Sequence, residues 1–145
     1  MKQIVVLGGG ISGYGSAILA KKKGFGVFLS DAGRIADRYK AKLDEWEVPY
    51  EEGGHTEERI LAATEVVKSP GIPDTAPMVR KIREAGIPVI SEMEFAGRYM
   101  GKAKCICITG SNGKTTTTSL IYKIMRDAGM NVEIGRASCR ERVEA

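Results

Sequence analysis

Residues 5–15 read VVLGGGISGYG, and the fold turns on them. Ile4 to Leu7 is an apolar, β-branched run that stops at glycine, which reads as a short buried strand. A helix is predicted over 11–23, closed by Lys21-Lys22-Lys23 and Gly24, because cations and then a glycine suit a helix C-terminus. Gly8-x-Gly10-x-x-Gly13 lies directly between the two. One glycine permits the tight turn, one lets a phosphate approach the backbone, and one lets the helix pack close to the sheet. Free N–H groups at the helix start then face an anion. Asp31 lies 18 residues beyond Gly13, at the end of a second strand over 27–30. There a carboxylate could accept hydrogen bonds from a ribose or a base. The pattern points to a nucleotide-type ligand, with a purely structural turn as the alternative.

Further along, strands are predicted over 48–50, 65–68 and 88–90, and helices over 35–46, 56–63, 76–85 and 92–99. Thr56 is placed to cap its helix, with Glu58 in the first turn. SPGIPDTAP, residues 69–77, is a loop that its prolines keep out of helix. Strands alternating with helices give an α/β fold: a Rossmann-like parallel sheet with helices on both faces.

A second glycine loop occupies CICITGSNGKTTTTSL, residues 105–120. A strand over 105–108 and a helix over 113–128 flank it, the expected first strand and helix of a P-loop ATPase-type domain. The strict P-loop spacing fails, because Ile108 stands where the template needs glycine. The chemistry of Gly110, Ser111, Asn112, Gly113, Lys114, Thr115 and Thr116 still suits ATP. Backbone N–H groups wrap phosphate oxygens, Lys114 reaches the β- and γ-phosphates, and the Thr115 hydroxyl can ligand Mg²⁺. Threonine runs form helices poorly, so this one suggests a task beyond helicity. Leu120, Ile121, Ile124 and Met125 make one apolar stripe on the helix.

A chain of 145 residues with 43% hydrophobic side chains holds one domain and a fraction. The expected division is 1–100, 101–132 for the start of a second domain, and 133–145 as a tail. The net charge of +4 suits a small anion. No basic stripe with interleaved aromatics argues for nucleic acid. Cys105, Cys107 and Cys139 lack zinc spacing, and the first two read as reduced, buried strand thiols. No stretch reaches the length of a membrane span, and the N-terminal apolar run is too short for a signal peptide, so the cytoplasm is the expected compartment.

The shortened loop G-S-N-G-K-T, the GGGISG loop, Asp31 and Ser69-Pro70-Gly71-Ile72-Pro73 fall in an order that resembles the Mur ligase family of peptidoglycan synthesis. The likeness runs to about Asn131 and is closest to the branch that adds D-glutamate to UDP-N-acetylmuramoyl-L-alanine. It implies three domains, for the UDP substrate, ATP and the amino acid, and a monomer at full length. It places Ile11 and Ser12 along the diphosphate, Asp31 at the uracil, and Ser69, Pro70 and Gly71 in the same pocket, with Gly10 and Gly13 also substrate-binding. Residues Gly110 to Thr116 would hold ATP, with Lys114 and Thr115 catalytic and Thr115 on Mg²⁺. ATP would phosphorylate the substrate carboxylate, and the amine of D-glutamate would displace the phosphate. The family's amino-acid domain and most of its central domain have no counterpart here. The chain is therefore expected to bind the UDP-sugar weakly and not to catalyse ligation alone.

The tail EIGRASCRERV, residues 133–143, changes character abruptly and looks like translated sequencing-adapter DNA. On that reading Cys139 has no role; the alternative is a solvated basic face. His55 reads as a surface loop residue, Glu92 and Glu94 as charges complementing a helix start, and Trp46 as packing at the sheet edge. Two other functions fit part of the pattern. One is another Mur-type or folylpolyglutamate-type ligase. The other is a nicotinamide-dinucleotide module, which leaves Gly110 to Thr116 unexplained.

Overall fold

The computed structural model describes residues 1–134, so Cys139 and most of the tail lie outside the described residues. Met1–Tyr99 pack as one compact unit, and a second begins at Met100. The first unit alternates throughout: β1 (Gln3–Leu7), α1 (Ile11–Lys22), β2 (Gly26–Asp31), α2 (Asp37–Glu45), β3 (Tyr50–Glu52), α3 (Glu57–Leu61), β4 (Glu65–Lys68), α4 (Pro77–Glu84), β5 (Val89–Ser91) and α5 (Glu92–Gly97). All strand pairs are parallel, in the order β3-β2-β1-β4-β5. Each expected element of this unit is present, with ends shifted by a residue or two.

The pleat of β1 explains why both sheet faces are covered. Successive side chains point to opposite faces. Ile4 and Val6 join one core with Ala17 and Ala20 of α1, Leu43 of α2 and Phe95 of α5. Val5 and Leu7 join the other, with Ile60 of α3 and Val79 and Ile82 of α4. β1 lies between β2 and β4, where the chain's direction of winding across the sheet reverses. In open α/β sheets ligands bind outside the carboxyl ends of the strands at such a switch point. Here that point is Gly8, after β1, and Ser69, after β4.

These two ends are tied to their neighbours. The Gly8 N–H donates to Ser30 O at 2.9 Å and the Ser69 N–H to Leu7 O at 3.0 Å. A Cβ on Gly13 would lie 1.9 Å from the Gly8 carbonyl oxygen, so the first turn of α1 rests directly on the end of β1. Nothing lies within 4 Å of a Cβ built on Gly10, whose backbone is extended at φ −74°.

In the second unit α6 (Lys114–Asp127) forms as expected, but residues 105–108 do not form a strand. A strand exists by pairing, and among the described residues none pairs with this segment. Cys105 and Cys107 are accordingly exposed rather than buried. Their sulfurs lie 3.6 Å apart, and the hydrogen bond with Cys107, which favours the protonated form, raises the Cys105 thiol above its usual range. No residue of α6 is buried, and Leu120 and Ile124 of its apolar stripe are exposed.

The glycine contacts set a test. Gly13→Ala should destabilise the chain by about 1–3 kcal/mol, the usual scale of overpacking, whereas Gly10→Ala should change it by less than about 0.5 kcal/mol. Urea unfolding of both variants checks this; equal costs would contradict the packing described.

Candidate nucleotide site

At the end of β1 the backbone turns into α1 under the control of Asp31. Its Oδ2 accepts the Gly9 N–H at 2.5 Å and its Oδ1 the Gly33 N–H at 2.7 Å. Asp31 thus clamps the glycine loop to the turn after β2, a task that its placement at a strand end did not reveal. The start of α1 has neither a side-chain cap nor an acidic residue in its first turn. Its first N–H groups are therefore available to an anion. Gly10 and Ile11 are exposed there, Ser12 is half-buried and Gly13 is buried.

The 69–73 loop is held from both sides. The Ser69 hydroxyl donates to Glu92 Oε1. Glu92 is 4% exposed, so it lies beneath the loop rather than only complementing a helix start. Lys68 Nζ donates to Ile72 O at 2.6 Å and pairs with Asp74 at 3.5 Å. Pro70 and Gly71 remain exposed at the tip.

A cleft of about 420 Å³ opens beside these loops. Its polar lining comes from Gly8, Asp31, His55 and Lys81, and its apolar lining includes Ile72, Ala76, Pro77 and Met78. Of the expected substrate residues only Asp31 lines this cleft; the others stand at the α1 start and on the 69–71 loop.

His55 is half-buried, not a bare surface residue, and its Nδ1 lies 2.7 Å from Ser30 Oγ. Ser30, fully buried at the end of β2, also reaches Glu51 Oε1 at 2.6 Å. Glu51 accepts the Thr56 N–H at 2.8 Å and the Thr56 hydroxyl at 2.5 Å. Thr56 therefore occupies the N-cap of α3 without a side-chain capping bond, because its hydroxyl serves Glu51 instead. Burial pushes the Glu51 carboxyl up, but the hydrogen bonds from Ser30 and Thr56 outweigh it and hold the group below its ordinary 4.5. The sequence carried one signal of this cluster: a serine in a strand that is otherwise apolar needs a buried partner.

In the second unit Gly113 occupies the N-cap of α6 in the left-handed region, at φ 77°, which favours glycine. Like α1, α6 begins without a side-chain cap or an acidic first turn. Lys114 Nζ folds back onto the loop, donating to Gly110 O and, at 3.3 Å, to Ser111 O. Residues 109–117 are exposed, so Ser111, Asn112, Thr115 and Thr116 present their polar groups to solvent.

Comparison with known proteins finds matches to both parts of the chain. Residues 2–91 match the family described as Mur ligase MurD-like, N-terminal domain, and residues 108–142 match the Mur ligase middle domain. The chain is 64% identical over 132 residues to the UDP-N-acetylmuramoylalanine–D-glutamate ligase of Bacteroides fragilis, covering 91% of this chain and 30% of that protein. The enzyme of the same name from Porphyromonas gingivalis is 57% identical over 129 residues, 89% of this chain and 28% of that one. Among solved structures, the murein peptide ligase Mpl of Psychrobacter arcticus superposes with a TM-score of 0.67 at 26% identity, over 89% of this chain and 27% of its own. The chain thus spans about 30% of the length of the curated relatives it matches.

Glu51 generates the second test. A carboxyl held low in the folded state stabilises the fold above its unfolded value, and that contribution is lost as pH falls through the folded value. Glu51→Gln should cost about 1–3 kcal/mol at pH 7, the scale of hydrogen bonds to a charged group. The cost should shrink below about pH 4. Urea unfolding across pH checks it; a cost that does not depend on pH would contradict the ionised network.

Proposed function

Because this chain belongs to the Mur ligase family, with a MurD-like N-terminal domain, we propose that it supplies the UDP-substrate and ATP-phosphate loops of the ligase that joins D-glutamate to UDP-N-acetylmuramoyl-L-alanine. One observation carries the reading: two glycine loops, one in each unit, open onto helices whose first turns carry neither a side-chain cap nor an acid. Such starts suit phosphates. Residues 1–99 take the UDP part, with the diphosphate over Gly10 to Gly13 and beside Ser69 to Gly71. Gly110 to Thr116 take the triphosphate of ATP.

Lys114 binds the β- and γ-phosphates, and its present donation to loop carbonyls is exchanged for phosphate oxygens. The Ser111 to Thr115 backbone holds the γ-phosphate for transfer to a substrate carboxylate. Transfer gives an acyl phosphate and ADP. The amine of D-glutamate then attacks, forming the amide and releasing phosphate. Among the described residues no cluster of three or more His, Cys, Asp or Glu side chains could hold a metal ion. In the chemistry of a Gly-Lys-Thr phosphate loop the Thr115 hydroxyl would be this chain's contribution to a Mg²⁺ shell, which suits an ion that completes its shell with phosphates and water. Bound there, Mg²⁺ would neutralise charge on the transferred group. No helix among the described residues is long and apolar enough to cross a membrane.

The test uses a chain carrying the full length of the relatives. Phosphate release from ATP should require both UDP-N-acetylmuramoyl-L-alanine and D-glutamate, and Lys114→Ala should lower kcat about 100-fold or more. Release that ignores D-glutamate but needs another amino acid would refute the assignment.

A further inference from the structure

We propose that Glu92 is a positioning residue for the UDP part of the substrate: acting through the Ser69 hydroxyl, it sets the 69–71 loop against the first turn of α1. The inference rests on the UDP-substrate reading and gives a task to a buried side chain that the reading leaves without one.

The sheet register brings the two side chains together. Lys68 ends β4 and stands opposite Ser91, which ends β5. The next residues, Ser69 and Glu92, therefore leave the sheet side by side, one into the loop and one into α5. The helix is fixed along its length. Ser91 caps it by accepting the Glu94 N–H at 3.1 Å. Phe95 is buried in the core it shares with α1. Beyond the last turn, Arg98 reaches both carboxylate oxygens of Glu65 on β4, at 2.8 and 2.9 Å. Glu92, 4% exposed, is thus presented to Ser69 from an anchored element.

Ser69 is the link to the glycine loop. Its hydroxyl oxygen lies where a Cβ on Gly8 would come within 2.6 Å and one on Gly13 within 3.6 Å, so it rests against both ends of that loop. A hydroxyl has one proton to give, and this one goes to Glu92 Oε1. A serine side chain turns about one bond among three staggered positions. The acceptor on Glu92 selects one of them, and with it the seat of the loop on Gly8 and Gly13. A negative charge close to a diphosphate would oppose the ligand, so what Glu92 contributes to binding is its acceptor oxygen and not its charge.

The experiment is calorimetric titration of the full chain with UDP, for the wild type, Glu92→Gln, Glu92→Met, Ser69→Ala and the double variant Ser69→Ala/Glu92→Met, each with its urea unfolding curve. Glutamine and methionine both match the length of glutamate and carry no charge, but only glutamine keeps an oxygen acceptor. Glu92→Gln should bind UDP at least as tightly as the wild type. Glu92→Met should bind it about tenfold more weakly. Ser69→Ala should lose the same factor, and the double variant should be no weaker than either single one, as for two groups acting in one chain. Equal affinities in Glu92→Gln and Glu92→Met would overturn the inference, as would losses that multiply in the double variant. Lower stability in Glu92→Met with unchanged affinity for UDP would reduce Glu92 to a structural group and overturn it too. If Glu92→Met does not fold, Ser69→Ala decides: unchanged affinity there overturns the inference. Failure of the wild type to bind UDP would overturn the UDP-substrate reading as well.

Discussion

The first unit depends on the contact between the Gly8 carbonyl and the Cβ-less face of Gly13. It lets the first turn of α1 rest on the end of β1, which sets the direction of the helix's free N–H groups. Other restraints converge on the same spot. Asp31 takes the Gly9 N–H, and the Gly8 N–H reaches Ser30 O. Ser69 crosses so close that a Cβ on Gly8 would lie 2.6 Å from its hydroxyl oxygen. Amides held this way are fixed before any ligand arrives, so less ordering cost would fall on binding.

Around that point, several buried and half-buried polar side chains meet partners. Glu92 is beneath Ser69, Ser30 is between Glu51 and His55, and Lys68 is against the carbonyl of Ile72. Each ties a loop at the carboxyl edge of the sheet to an element behind it. The apolar cores on the two sheet faces stabilise the unit, while these polar ties shape its edge. The glycine loop of the second unit is different in kind. Gly113 sets its turn and Lys114 closes on its own carbonyls, but every residue from Thr109 to Thr117 is exposed.

The fold was legible because it rests on local patterns: apolar runs of strand length, glycine and proline stops, and helix-ending lysines. β1, α1, β4 and α6 needed nothing more. What was not legible depends on partners distant in sequence. The segment Cys105–Ile108 has strand composition, yet a strand needs a neighbour to pair with. Thr56 has a capping residue's chemistry, but Glu51 engages its hydroxyl. His55 looked like a loop residue because Ser30 lies 25 residues away. Of the site, both glycine loops were visible as spacing. The clamp role of Asp31 and the Ser30–Glu51–His55 network were not, since side-chain hydrogen bonds across a sheet edge leave little periodic trace.

The central claim is that the carboxyl edge of this sheet receives a UDP-linked substrate. Backbone amide NMR of the ¹⁵N-labelled chain, titrated with UDP-N-acetylmuramoyl-L-alanine, tests it most directly. Saturable shifts should concentrate at Gly10 to Gly13, Ala32, His55, Ser69 and Gly71, with the α2 amides of Asp37–Glu45 unmoved. Shifts confined to Gly110–Thr116, or none that saturate, would contradict the account.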